Sequence, residues 1–140
     1  MKLYLLYHIR WIDDNFYDTK IIGIYSSYEK ATNTINRYLY LPGFSEFHTG
    51  FHIDSFDILG QKISIGNKKN NMVYLLEGVC FVDLDELVVS FGIYLNRIAA
   101  LWASIVKKTR RNKQNAKKFY IEKYIIDEDN WKEGFVVMDN

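Results

Sequence analysis

His48 and His52 stand four residues apart, and Asp54 follows two further on. On a helix this spacing turns two imidazoles to one face, as in His-Glu-x-x-His zinc sites. Here the pair follows the turn Leu41-Pro42-Gly43-Phe44 and leads into an alternating strand pattern. The two rings need not converge there, so no metal site is expected. His8 falls within an alternating apolar run and reads as an interior histidine. Asp13 with Asp14, and Asp83 with Asp85 and Glu86, are acid clusters that could split their pKa values for acid–base work. Both lie between strand patterns, where carboxylates are ordinarily solvated turn residues. Cys80 sits in the apolar run Gly78-Val79-Cys80-Phe81-Val82 and reads as a small packed hydrophobe. The chain has no G-x-S-x-G elbow, phosphate loop or dinucleotide fingerprint, so neither an enzyme nor a cofactor site is expected.

The remaining candidate is electrostatic. Lys107, Lys108, Arg110, Arg111, Lys113, Lys117 and Lys118 form a basic segment with no acid inside it. Residues 1–106 carry nine basic and eleven acidic side chains, and residues 119–140 carry two and six. Local positive charge thus stands out within a mildly acidic chain whose net charge is only +1. Cations at a helix C-terminus complement its dipole, which is a sufficient structural reason for part of the run. The functional reading is a docking site for an acidic protein surface or a phosphate backbone. No aromatic residue interrupts it before Phe119, so base stacking lacks a local platform.

The elements that must carry these residues recur. Tyr4-Leu5-Leu6 returns as Tyr74-Leu75-Leu76, Gly23-Ile24-Tyr25 as Gly92-Ile93-Tyr94, and Phe51-His52-Ile53 as Phe119-Tyr120-Ile121. The offsets are 70, 69 and 68, in order, the mark of an internal repeat. Leu3, Leu5, Tyr7, Ile9 and Trp11 alternate as in a half-buried strand, and a second strand covers about 20–26. Ser26 and Glu29 read as a capping box opening a helix, with Tyr28, Ala31, Ile35 and Tyr38 on its inner face. In the second copy, Asn96 takes the cap position, and Ile98, Leu101, Trp102 and Ile105 are expected as the buried stripe. The spacing Phe51, Ile53, Phe56, Ile58 recurs as Phe119, Ile121, Tyr124, Ile126, a phase slip that suggests a β-bulge in each third strand. The expectation is an α+β chain of two tandem ββαβ repeats, 1–66 and 72–140, joined by the polar linker 67–71. They are expected to form one compact, pseudo-symmetric domain over 1–140, with a mainly antiparallel sheet and two helices packed on it.

Bulk composition is ordinary for a globular domain, 49% hydrophobic and 25% charged. One cysteine excludes an internal disulfide and fits a reducing compartment. The short apolar start lacks a signal-peptide pattern and no run reaches transmembrane length, so a cytoplasmic protein without membrane contact is expected. Asparagine, lysine, isoleucine and tyrosine dominate over alanine, glycine and proline, a usage that follows A/T-rich codons.

Tyr4-Leu5-Leu6-Tyr7-His8, Ile22-Gly23-Ile24-Tyr25-Ser26-Ser27 with Lys30-Ala31, Leu41-Pro42-Gly43-Phe44 and Gly50-Phe51-His52-Ile53-Asp54 together resemble a small bacterial domain family of unknown function. The resemblance implies a closing pattern of acidic turn, tryptophan and Glu-Gly-Phe. That pattern follows only the second copy, as Asp127-Glu128-Asp129-Asn130-Trp131-Lys132-Glu133-Gly134-Phe135, while Ile63-Ser64-Ile65-Gly66 stands in its place after the first.

These features together point to a non-catalytic protein-binding module, most concretely an immunity protein neutralising a cognate toxin, docking through the basic segment. The alternatives are a nucleic-acid or phosphate-binding accessory protein using residues 107–118, and a small-molecule sensor binding between the repeats.

Overall fold

The structure, a computed structural model, describes residues 1–14, 16–58, 71–82, 85–109, 116 and 118–137. The chain is α+β. Its elements run β1 (Lys2–Asp13), β2 (Phe16–Tyr25), α1 (Tyr28–Tyr38), two short 3-10 turns, β3 (Phe51–Asp57), β4 (Met72–Val82), β5 (Asp85–Tyr94), α2 (Arg97–Thr109) and β6 (Lys118–Ile125). The expected linker, apart from Asn71, lies outside the described residues, as do Ile63 to Gly66.

Where the sequence suggested one sheet, the described strands form two of three strands each, in the orders β2-β1-β3 and β5-β4-β6. In each, the first strand of the ββαβ succession is central and both its edges are paired, so each succession completes a sheet on its own strand. Packing divides the chain into two compact units at other points than the sequence repeat does. One consists of Asp57–Ile125 with Met1; the other of Lys2–Phe56 with Ile126–Asn140.

Both hairpins carry the same irregularity. In β1–β2, Leu6 pairs with Gly23 and Tyr7 with Ile21, leaving Ile22 as the extra residue. In β4–β5, Leu76 pairs with Gly92 and Glu77 with Ser90, leaving Phe91 as the extra one. The bulge sits next to the glycine each time, and the following tyrosine folds back over that glycine. A Cβ on Gly23 would lie 2.8 Å from the Tyr25 hydroxyl, and one on Gly92 2.9 Å from the Tyr94 hydroxyl. Glycine is required there because a ring occupies the side-chain position. The bulge expected in the third strands is absent from β6, which pairs with β4 residue for residue from Lys118 to Ile125. The change of buried face does occur in β6, from Ile121 to Tyr124, and a twisting strand end supplies it without an inserted residue.

In the unit of β1, β2 and β3, α1 packs Ala31 and Tyr38 into one core cluster with Leu6, Ile22, Tyr25 and Phe44. Ser27, not Ser26, is the helix cap, its hydroxyl accepting from the Lys30 N–H at 3.1 Å. Ser26 is taken by Asp127, whose carboxylate accepts from the Ser26 N–H at 2.8 Å and from its hydroxyl at 2.7 Å. A carboxylate outcompetes the glutamate of a capping box because it satisfies two donors at once and favours the positive end of the helix.

Asp127 opens a closing segment, 126–137, that completes this unit from the far end of the chain. Its backbone covers the outer edge of β2: Asp127 N–H donates to Ile24 O at 2.8 Å and Asn130 N–H to Ile22 O at 2.7 Å. Asp129 accepts from the Tyr25 hydroxyl at 2.6 Å and from Arg37 at 2.8 Å. The Tyr38 hydroxyl donates to Asn130 O at 2.6 Å. Phe135 N–H then donates to Pro42 O at 2.9 Å. The two glycines at this junction both have positive φ, 82° at Gly43 and 76° at Gly134. A Cβ on Gly43 would strike the Phe135 ring, and one on Gly134 the Pro42 backbone. Close approach and backbone conformation therefore demand glycine on both sides.

Phe135 meets the unusual half of the sheet. His8, Arg10 and Lys20 share the helix-side face of the hairpin, with His8 paired to Lys20 and Arg10 to Asp18. Lys20 is 9% exposed, bonded to Asp18, and its ammonium lies 4.1 Å from the Phe135 ring centre and 5.2 Å from that of Trp131. Arg10 lies over Phe47 at 5.2 Å. Aromatic faces offset part of the cost of burying such cations. His8 is 1% exposed, edge-on to Phe44 and Phe51. It donates from Nε2 to Phe47 O at 2.8 Å, because a carbonyl can only accept. Burial depresses its pKa and keeps it neutral, so it is the interior histidine expected.

In the other unit Leu75, Leu76, Val73, Ile93 and Ala100 are fully or nearly buried. Phe91 and Phe119 pack at 5.4 Å between ring centres. Glu77 lies between Ser90 of β5 and Tyr120 of β6. Burial, aided by the charge of Glu122, pushes its carboxyl from an ordinary 4.5 up to about 7.

Two outcomes follow from this packing. Removing 126–140 should abolish cooperative unfolding of the β1–β3 unit, read by exchange of the Leu5 and Leu6 amides. The milder Phe135→Ala should cost about 3 kcal/mol in denaturant unfolding. Unchanged Leu5 and Leu6 protection in the truncated chain would show that the closing segment is not structural. For Glu77, the folded state holds an extra proton between pH 4.5 and 7, so stability falls as pH rises through that window. Glu77→Gln should flatten the difference between denaturation midpoints at pH 5.5 and pH 8 relative to the parent. His8 acts with the opposite sign in both proteins and cancels in the comparison.

Candidate functional site

The two helices enter in the same way but present opposite faces. Each starts three residues after its second strand ends, behind a side-chain cap: Ser27 in α1, and in α2 Asn96, whose amide oxygen accepts from Ala99 N–H at 2.8 Å. Ala31 and Ala100, 69 residues apart, are both fully buried. Counting from these alanines, the outward positions of α1 hold Glu29, Thr32, Asn33, Asn36 and Arg37. The same positions of α2 hold Ile98, Leu101, Trp102, Ile105 and Val106.

All five are exposed, Ile98 at 68% and Trp102 at 65%. The stripe expected to be buried is thus the solvent face of α2. Its inner face is made of Ala100 and Ser104, buried, with Ala103 and Lys107 half-buried. Lys107 arches over Phe91, its ammonium 5.3 Å from the ring centre. The strand–turn–helix connection sets the rotation of the helix, and the stripe follows that rotation rather than its own hydrophobicity. At 3.6 residues per turn, Arg97 and Lys108 fall along one edge of the stripe, and both are exposed. Residues 97–109 contain no acid. The result is an apolar ridge with a basic edge.

The basic segment is described only in part. Lys107 is half-buried, Lys108 stands exposed in the last turn of the helix, and Lys118 opens β6 exposed. Arg110, Arg111, Lys113 and Lys117 lie outside the described residues.

A second exposed apolar cluster sits at the tip of the β1–β2 hairpin. Trp11 is 60% exposed and Phe16 58%, with Ile12 between them in sequence. Trp11 leans on Tyr17 at 5.0 Å between ring centres. Asp13 and Asp14 occupy the same tip, exposed, as expected of turn carboxylates. Residues 11–19 contain no basic side chain.

The other candidates do not assemble. His48 lies in a 3-10 turn and His52 on β3, where it stacks on Tyr7 at 5.4 Å. Burial, with Asp54 beside it, pushes the Tyr7 hydroxyl up to about 12. Among the described residues no three metal-ligating side chains converge. Cys80 is buried, and burial pushes its thiol up, away from the reactive thiolate. Asp83 and the side chains of Asp85 and Glu86 lie outside the described residues. No helix among the described residues is long and apolar enough to cross a membrane.

The hairpin tip was visible in the sequence as apolar residues beside paired acids, yet alternation assigned Trp11 to the buried face. The exposed ridge of α2 had a signal too: small or polar residues opposite the stripe at Ala100 and Ser104, with Ala100 at the position that Ala31 holds in α1.

Residues 1–66 match the family model of a domain of unknown function (DUF7336), a span that holds β1, β2, α1 and β3 but ends before the closing segment. No curated protein and no solved structure matches the chain.

Proposed function

We propose that the chain is a non-catalytic protein-binding module that docks its partner on the outer face of α2. The observation that carries this reading is the apolar ridge. Large apolar side chains at five helical positions would ordinarily be spent on a core, and here they face solvent. A tandem duplication explains how this arose. One copy kept a polar outer helix face, while the other exchanged those positions for Ile98, Leu101, Trp102, Ile105 and Val106 and left the inner alanine alone.

The ridge also adds an apolar component to the docking site. Protein interfaces draw affinity from an apolar, often tryptophan-bearing centre and use charge at the rim for rate and orientation. Ile98 and Trp102 supply the centre, with Arg97 and Lys108 at the rim. In this reading Lys108, an exposed residue of the described part of the basic run, contributes charge at the rim. The narrower form of this reading is an immunity protein for a cognate toxin. It is supported by the A/T-rich residue usage and by the absence of a converging catalytic constellation among the described residues.

The test is titration against the products of neighbouring genes, with the parent chain and with Ile98→Ala plus Trp102→Ala. The double variant should bind roughly thirtyfold or more weakly, and Lys108→Glu should mainly slow association. Replacing Asn33 and Asn36 on α1 should change neither. Salt-sensitive binding of mixed oligonucleotides, lost in Lys107→Glu plus Lys108→Glu and kept in the ridge variant, would put a nucleic-acid ligand in the partner's place.

A further inference from the structure

The tip of the β1–β2 hairpin and the ridge of α2 are complementary in kind. The tip is aromatic and acidic, with Trp11 and Phe16 more than half exposed beside Asp13 and Asp14. The ridge is aliphatic and aromatic with a basic edge, Arg97 and Lys108, and no acid along its length. We infer that the ridge of one copy receives the hairpin tip of a second copy of this chain, giving head-to-tail self-association. This rests on the reading of α2 as a docking face and names an occupant for it.

Size, charge and symmetry each support the pairing. From Ile98 to Val106 the ridge runs eight residues, about 12 Å of helix at 1.5 Å per residue. A two-stranded tip is about 5 Å across between strand axes, so the ridge is long enough to seat it, Trp11 lying on the hairpin face of its partner Tyr17 and Phe16 on the other. The acids of the tip then meet the edge lined by Arg97 and Lys108, and opposite charges at the rim steer the encounter. The alternative self-pairing, ridge on ridge about a two-fold axis, fares worse. Antiparallel helices related in that way bring the same edge of each together, so Arg97 would face Lys108 of the second copy, a like-charge contact repeated twice. Because tip and ridge are different surfaces, the contact is heterologous. A single contact leaves one tip and one ridge of the pair unused, so the association either closes through a second, reciprocal contact or grows further.

Sedimentation over a wide concentration range tests this with two double variants. One, Trp11→Ala with Phe16→Ala, breaks the tip; the other, Ile98→Ala with Trp102→Ala, breaks the ridge. All four side chains are exposed, so both variants should keep the parent's thermal unfolding, which is measured alongside. The parent should gain average mass with concentration, to the dimer or beyond it. Each variant alone should be monomeric where the parent associates, with a dissociation constant raised roughly thirtyfold. Mixed in equal amounts, the two variants should form a one-to-one dimer and nothing larger, because one intact tip and one intact ridge remain. Three results overturn the inference. A parent that stays monomeric throughout excludes self-docking, and the partner titration then judges α2 on its own. Association lost in the ridge variant but kept in the tip variant means ridge-on-ridge pairing, which leaves α2 a docking face. Association unchanged in both variants places the contact elsewhere.

Discussion

The carboxylate of Asp127 holds the start of a helix that lies about a hundred residues earlier in the chain. It takes both donors of Ser26 and the ammonium of Lys30 at 3.0 Å. Burial alone would raise its pKa, but these donors outweigh burial and hold the carboxyl below its ordinary value. Around this contact the rest of the closing segment falls into place. Asp129 and Asn130 fasten the edge of β2, Trp131 and Phe135 roof Lys20, and Gly134 passes under Pro42. Without Phe135, Lys20 would lose the nearest ring face its ammonium meets and be left with Asp18 and the more distant Trp131 ring to offset the cost of its burial. The β1–β3 unit therefore depends on residues that the chain places beyond the whole of the other unit.

That dependence also distinguishes the two ββαβ successions. The first is constrained on every side: α1 inward by Ala31 and Tyr38, its start by Asp127 and its end by Arg37 bonded to Asp129. The second has no equivalent clamp among the described residues at the start of α2, which relies on Asn96. Its outer helix face carries apolar side chains whose burial is not required for the helix to sit on the sheet. Ala100 and Ser104 do that inwardly.

Local signals were legible in the sequence and orientation was not. The alternation of Leu3 to Trp11 located β1, the Asn96 cap located α2, and the recurring glycine-isoleucine-tyrosine marked the ends of both hairpins. The apolar period of α2 identified a stripe correctly, but a period has no sign. Which face meets the sheet is decided by the rotation the connection from β5 imposes, and only comparison of Ala31 with Ala100 carried that information. The capping residue was misplaced by one because Ser26 and Ser27 are adjacent, and a carboxylate far along the chain chooses between them. The destination of the closing segment was illegible for the same reason: Asp127 and Ser26 have no local relation. Alternation likewise put Trp11 inside, since it cannot show where a sheet ends and the hairpin projects beyond it.

Because Ile22 and Asn130 are 108 positions apart, the clasp between them has a consequence for synthesis. A ribosome releases β1, β2, α1 and β3 long before it makes the segment that roofs Lys20 and covers the edge of β2. During that interval the nascent chain carries an open strand edge and an uncovered cationic pocket, the features that recruit chaperones or mispair with neighbouring nascent chains. The β4–β6 unit, whose described contacts are all nearer in sequence, is free to mature first. The order of folding is then the reverse of the order of translation, with the earliest residues made being the last to reach their final packing.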